Sequence, residues 1–98
     1  MRWIDGLTLR YVLVLTVLDR GDVVTVDDLL AAVEAMGGRL DEDAPRKQVA
    51  DAIRWEIAKG RVRRAGWGRY APGHVPRSTV RYMRRRLSEW IAFGTAPG

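Results

Sequence analysis

Cysteine is absent from this 98-residue sequence, histidine and phenylalanine occur once each, and there are only two lysines. Without cysteine there are no disulfides, thiolate metal sites or thiol nucleophiles, a composition that fits a reducing cytoplasm. His74, alone between Gly73 and Val75 in a turn-rich stretch, cannot build a metal site and is expected as a solvated loop residue. Long apolar runs are missing too. The longest, Tyr11 to Leu18 with Thr16 inside it, has eight residues, against about 20 needed to span a bilayer. A signal peptide is not expected: Asp5 spoils a positive n-region, and Asp19-Arg20-Gly21-Asp22 follows where small cleavage-site residues belong. No internal repeat or low-complexity segment is visible.

Catalytic patterns are equally scarce. Ser78 has no histidine at a recognisable spacing, no glycine-rich phosphate loop or nucleotide fingerprint occurs, and Gly66-Trp67-Gly68 reads as a hairpin tip rather than a cofactor loop. Asp41-Glu42-Asp43 lacks the glycine-punctuated spacing of a calcium loop. The expectation is a non-enzyme without metal, cofactor or small-molecule ligand.

What the chain does have is a division of charge. Residues 1 to 45 carry four basic and nine acidic side chains, net −5; residues 46 to 98 carry thirteen basic and three acidic, net +10. Such a field steers a small domain toward polyanions and releases counterions when phosphates are bound. Nucleic acid is the commonest partner of that kind, ahead of acidic membranes and acidic proteins. With 47% hydrophobic residues, the length suits one domain around one modest core.

Periodicity and capping residues place the elements. A first helix is predicted from about Leu9 to Leu18, N-capped by Thr8 and ended by Gly21. It is apolar on both sides, so it must be covered on more than one face. Val23-Val24 is a minimal strand leading to the capping box Thr25-Val26-Asp27-Asp28, with Val24 and Leu29 as hydrophobic staple. The second helix runs to about Met36 with Val26, Leu29, Leu30, Val33 and Met36 as its core face, ended by Gly37-Gly38. A turn anchored by Leu40 carries the acid cluster, where carboxylates meet the positive end of the next helix.

The third helix starts at Pro45 and stops at Gly60. Val49, Ala52, Ile53 and Ile57 should face inward, with Trp55 packed under the hairpin or the final helix. Arg46, Lys47, Ala50, Asp51 and Arg54 form the outer face. A hairpin follows from Arg61 to Ala71, with Val62 and Tyr70 inward and Arg63, Arg64 and Arg69 in solvent. Ser78 is the expected N-cap of a last helix to about Ala92, striped by Val80, Met83, Leu87, Trp90 and Ile91, with Arg77, Arg81, Arg84 and Arg85 lining another face and Arg86 flanking it. The tail Gly94 to Gly98 should be disordered.

Helix, short strand, capped helix, turn, third helix and the hairpin Gly60-Arg61-Val62 through Gly68-Arg69-Tyr70 resemble the winged helix-turn-helix family over about residues 7 to 73. The fold class implied is mainly α with a small β-hairpin, a three-helix core and a two- to three-stranded wing. The segment 77 to 92 adds a basic C-terminal amphipathic helix that packs on the domain or forms a dimer interface. The resemblance implies a transcription regulator or nucleoid-associated factor in the cytoplasm, binding double-stranded DNA with the third helix in the major groove and the wing against phosphates or the minor groove. Asp41-Glu42-Asp43 departs from the pattern, since it puts negative charge where a DNA binder is neutral or basic.

The candidate DNA-binding residues are Arg46, Lys47, Gln48 and Arg54 on the helix; Arg63, Arg64, Trp67 and Arg69 on the wing; and Arg77, Arg81, Arg84 and Arg85 on the last helix. Arginine can grip guanine in a bidentate fashion and glutamine can pair with adenine. The competing account of the helix is a solvated face on which Asp51 neutralises Arg54 or Lys47. Trp67 either contacts DNA or a partner protein, or folds back over the Arg64 and Arg69 stems. The surplus apolar surface of the first and last helices points to a homodimer. An alternative partner class is an acidic protein surface bound without DNA, and structured RNA is a third polyanion to consider.

Overall fold

Asp5, not Thr8, begins the first helix. In the computed structural model, which describes residues 2–95, the Asp5 carboxylate accepts from the backbone N–H of Thr8 (2.9 Å) and from its hydroxyl (2.6 Å). Helix α1 therefore runs Gly6–Arg20, three residues earlier than predicted, because a carboxylate serves both the free amides and the dipole of a first turn. Burial raises the Asp5 pKa, but the hydrogen bonds from Thr8 outweigh it and hold the carboxyl below its ordinary value. Gly21 is the C-cap, as expected.

Strand β2 (Val24–Thr25) enters α2 (Val26–Ala35) through the predicted box: Asp28 N–H donates to Thr25 Oγ1 (3.2 Å), and Thr25 N–H donates to the Asp28 carboxylate (2.8 Å). Val24 and Leu29, on either side of the box, are fully buried. An element absent from the sequence reading joins the ends of this half. Strand β1 (Arg2–Trp3) pairs in parallel with β3 (Gly38–Arg39), too short a bridge to leave an alternating pattern.

Helix α3 spans Pro45–Ala58, and the hairpin consists of β4 (Val62–Gly66) and β5 (Arg69–Pro72). The antiparallel sheet has the order β2-β5-β4, with Val24 opposite Tyr70 and Tyr70 opposite Arg64. Its inward side chains, Val24, Val62 and Tyr70, close one side of a single core. Leu9, Leu13 and Val17 of α1, Leu29 and Val33 of α2, and Val49 and Ile53 of α3 supply the rest.

Helix α4 runs Arg77–Thr95. Val80 N–H donates to the Pro76 carbonyl (3.0 Å), so the first turn starts at Arg77 and Ser78 lies inside the helix rather than capping it. Proline, with no N–H of its own and a fixed φ, suits that entry. Gly94 and Thr95 belong to the helix rather than to a disordered tail, and the remainder of that predicted tail, 96–98, lies outside the described residues. The apolar stripe of α4 packs on α1 within the chain: Met83 is buried, while Val80, Leu87 and Trp90 are half-buried against the core. That contact covers the second apolar face of α1. The result is a small, mainly helical fold with one small antiparallel sheet. Among the described residues no helix is long and apolar enough to cross a membrane.

Candidate nucleic-acid interface

The base of the hairpin is built by a close backbone approach. Gly73 N–H donates to the Arg61 carbonyl (3.0 Å) and His74 N–H to the Gly60 carbonyl (2.9 Å). A Cβ on Gly73 would lie 2.2 Å from the Gly60 oxygen, so only glycine fits. Beneath this junction sits Glu56, fully buried on the inner face of α3. Arg61 Nη1 donates to its Oε2 (3.1 Å), and Arg10 Nε stands 3.8 Å from Oε1, which has no hydrogen-bond partner among the described residues. Two half-buried guanidiniums from α1 and the hairpin base thus compensate one buried carboxylate, a condition for burying charge at all.

Glu56 corrects the sequence reading, which placed Trp55 inward. Val49, Ala52, Ile53 and Glu56 follow the i, i+3, i+4, i+7 spacing of one helix face, and geometry overrides the greater hydrophobicity of Trp55. The spacing itself was the available signal. Trp55 is instead 63% exposed, beside Arg10, whose guanidinium is 5.9 Å from the ring centroid. Shallow grooves of about 400 Å³ and about 570 Å³ flank the indole, the first toward Leu7 and Gln48, the second toward Lys47 and Arg54.

Each candidate on α3 already has an intramolecular partner. Arg46 pairs with Asp27 of α2, Lys47 Nζ with Asp51 Oδ2 (3.0 Å), and Arg54 Nη2 approaches Asp51 Oδ1 (3.8 Å). Gln48 Oε1 accepts from the Asp41 N–H (2.7 Å), so the acid turn is tied to the helix it precedes. The outer face therefore carries compensated charge, as the solvated-face account required for Asp51.

The hairpin differs. Arg63, Arg64 and Arg69 are exposed as expected; Arg63 Nε donates to the Pro72 carbonyl (3.0 Å), while Arg64 and Arg69 have no acidic partner among the described residues. A bulge between Arg64 and Gly66 breaks the register just before the tip. Gly68, at φ 61, turns the chain, and Trp67 beside it is 96% exposed. Such exposure rules out the indole folded back over the arginine stems.

The arginines of α4 fall into two groups. Arg77 and Arg81, in its first half, are exposed without an acidic partner among the described residues. Arg84 grips Asp19 of α1 with both terminal nitrogens (3.1 and 2.5 Å), lowering the Asp19 pKa and raising its own through the same hydrogen bonds. Arg85 and Arg86 both lean on Glu89 (3.9 and 3.6 Å). No group of three histidine or carboxylate side chains among the described residues could hold a metal.

Among the described residues, the exposed cations without an acid partner are Arg63, Arg64, Arg69, Arg77 and Arg81 on the hairpin and the first half of α4, and Lys59 at the end of α3; of the arginines only Arg63 has a hydrogen bond, to the Pro72 carbonyl, and Trp67 adds one bare indole. Comparison with known proteins adds no relative to this picture: the chain matches no family model, no curated protein and no solved structure.

Proposed function

We propose that the chain is a winged helix-turn-helix DNA-binding protein, a transcription regulator or nucleoid-associated factor, that holds duplex DNA mainly through its wing and the first half of α4. The element order, the sheet order β2-β5-β4 and the hairpin projecting beyond the core support the winged-helix reading. The observation that carries the function is the set of unpaired arginines, Arg64, Arg69, Arg77 and Arg81, in the half of the chain with net charge +10. Guanidinium groups without acid partners are free to bind phosphates at no cost in broken ion pairs. Base reading by Arg54 and Gln48 is secondary here, because both must first give up intramolecular contacts.

The test is DNA binding measured by anisotropy at rising salt. Four phosphate contacts correspond to a log–log slope of about −3.6, from about −0.9 per contact. Salt-insensitive binding, or no binding at low salt, rejects the proposal. The homodimer inferred from surplus apolar surface now rests on less, since α4 covers α1 within the chain; Ile91 and Phe93 are the exposed apolar side chains left near the end of α4.

A second reading, docking on an acidic protein without DNA contact, is favoured by one feature: exposed Trp55 between two grooves whose rims carry Arg10, Lys47 and Arg54 around a single acid, Asp51. It predicts that Trp55→Ala abolishes capture of an acidic protein partner and that the unaltered chain binds no duplex DNA even at low salt.

A further inference from the structure

The four tryptophans divide three to one. A guanidinium stands over the ring of Trp90 (Arg2, 3.6 Å), of Trp3 (Arg39, 4.5 Å) and of Trp55 (Arg10, 5.9 Å). Trp67 carries none among the described residues, and both ring faces are open to water. Arg64 and Arg69, adjacent to it on the two strands and free of acid partners, leave their charge available on either side of the tip. The stem of Arg69 runs close to Gly66, 3.8 Å from where a Cβ would stand, which keeps it at the tip.

A ligand that suits this arrangement offers a flat apolar face with negative charge within a few ångströms on both sides. A nucleobase with its flanking phosphates has that form, and base–aromatic stacking works for any base because each has a π face. Continuous duplex does not expose such faces. For the indole to reach a base face in continuous duplex the base step must be unstacked, at a few kcal/mol per step. Base faces become accessible where stacking is interrupted, at a fork, a gap or an end.

Resting on the DNA-binding reading above, we infer that Trp67 stacks on an unpaired base at a junction of single- and double-stranded DNA, with Arg64 and Arg69 on the phosphates to either side. The wing then selects a discontinuity in the duplex rather than a sequence. The first half of α4 contributes phosphate contacts that make no such distinction.

Binding of the full chain to three labelled DNAs tests this: a forked duplex with unpaired arms, a duplex of equal length closed at both ends by non-nucleotide linkers, and the single strand of one arm. The fork should bind about tenfold more tightly than the closed duplex, the scale of one base–aromatic stack. Trp67→Ala should abolish that preference by weakening the fork to the level of the closed duplex, and Trp67→Phe should retain part of it. 2-Aminopurine at the first unpaired position of the fork should be quenched by the unaltered protein and not by Trp67→Ala. Because Trp67 is almost wholly exposed, its replacement leaves the core intact. Equal affinity for fork and closed duplex, or equal loss on both from Trp67→Ala, overturns the inference and leaves the DNA-binding proposal standing. Failure to bind any of the three at low salt, or preference for an acidic polypeptide over all of them, overturns both.

Discussion

The outer face of α3 and the hairpin carry similar numbers of cationic side chains, yet only the hairpin leaves them uncommitted. On α3, Arg46, Lys47 and Arg54 each lie against an aspartate. On the hairpin, Arg64 and Arg69 have none. The contrast teaches that cationic residues indicate a polyanion site only after their intramolecular partners are subtracted. Exposed ion pairs are individually weak, about 0–1 kcal/mol, so α3 is disadvantaged rather than blocked.

Glu56 is where the two regions meet, and it gives the largest expected effect. Glu56→Ala leaves Arg10 and Arg61 without their shared carboxylate and should lower stability by about 3 kcal/mol in urea unfolding, the low end for a broken buried pair because both guanidiniums are partly exposed. A loss below about 1 kcal/mol would show that Glu56 does not join α3 to the hairpin base.

Next in size, Arg64→Ala with Arg69→Ala should weaken duplex binding by about 2 kcal/mol and flatten the salt slope by about 1.8. Lys47→Ala with Arg54→Ala should change the slope far less. A reversed ranking in anisotropy titrations would place the main contact on α3 and break the comparison.

A smaller change should sharpen it. Asp51→Asn frees both Lys47 and Arg54, so duplex affinity should rise by about 0.5–1 kcal/mol. Unchanged affinity would mean that α3 stays away from the phosphates whatever its charge.

The smallest effect concerns Asp19 and Arg84. The Asp19 carboxyl is held below its ordinary value of 3.8, chiefly by the hydrogen bonds from Arg84. A depressed carboxyl contributes stability above its unfolded pKa and loses it as pH falls through the folded value. About half exposed on both sides, the pair should account for no more than about 0.5 kcal/mol, lost below pH 3.8. Asp19→Asn should remove that acid-range dependence; an unaltered pH profile in the variant would assign it to other carboxylates such as Asp5.

The sequence made some of this legible and hid the rest for identifiable reasons. Thr25 and Asp28 announced the start of α2 because a capping box is local. Val62 and Tyr70 were readable as inward because strand alternation survives in even a short hairpin. Trp55 was expected under the hairpin or the last helix and Glu56 was given no place, because a buried carboxylate is tolerable there only through two arginines from other elements, which helical spacing alone does not show. Asp5 was passed over for Thr8, three residues away, since either side chain can cap. The pairings of Arg46 with Asp27 and Arg84 with Asp19 cross 19 and 65 residues, distances over which no periodicity speaks. Those pairings decide which candidate cations are free, so the sequence could name candidates but not rank them.

One contact reaches further still. Arg2 stacks over Trp90 and donates to the Trp90 carbonyl (2.7 Å), joining positions 88 residues apart. A contact of such sequence separation gains little until the rest of the chain has assembled, so this clasp is expected to form late in folding. Loosening it should hasten unfolding while leaving refolding nearly unchanged, which makes the meeting of the first strand and the last helix a control on the lifetime of the folded state rather than on how quickly it forms.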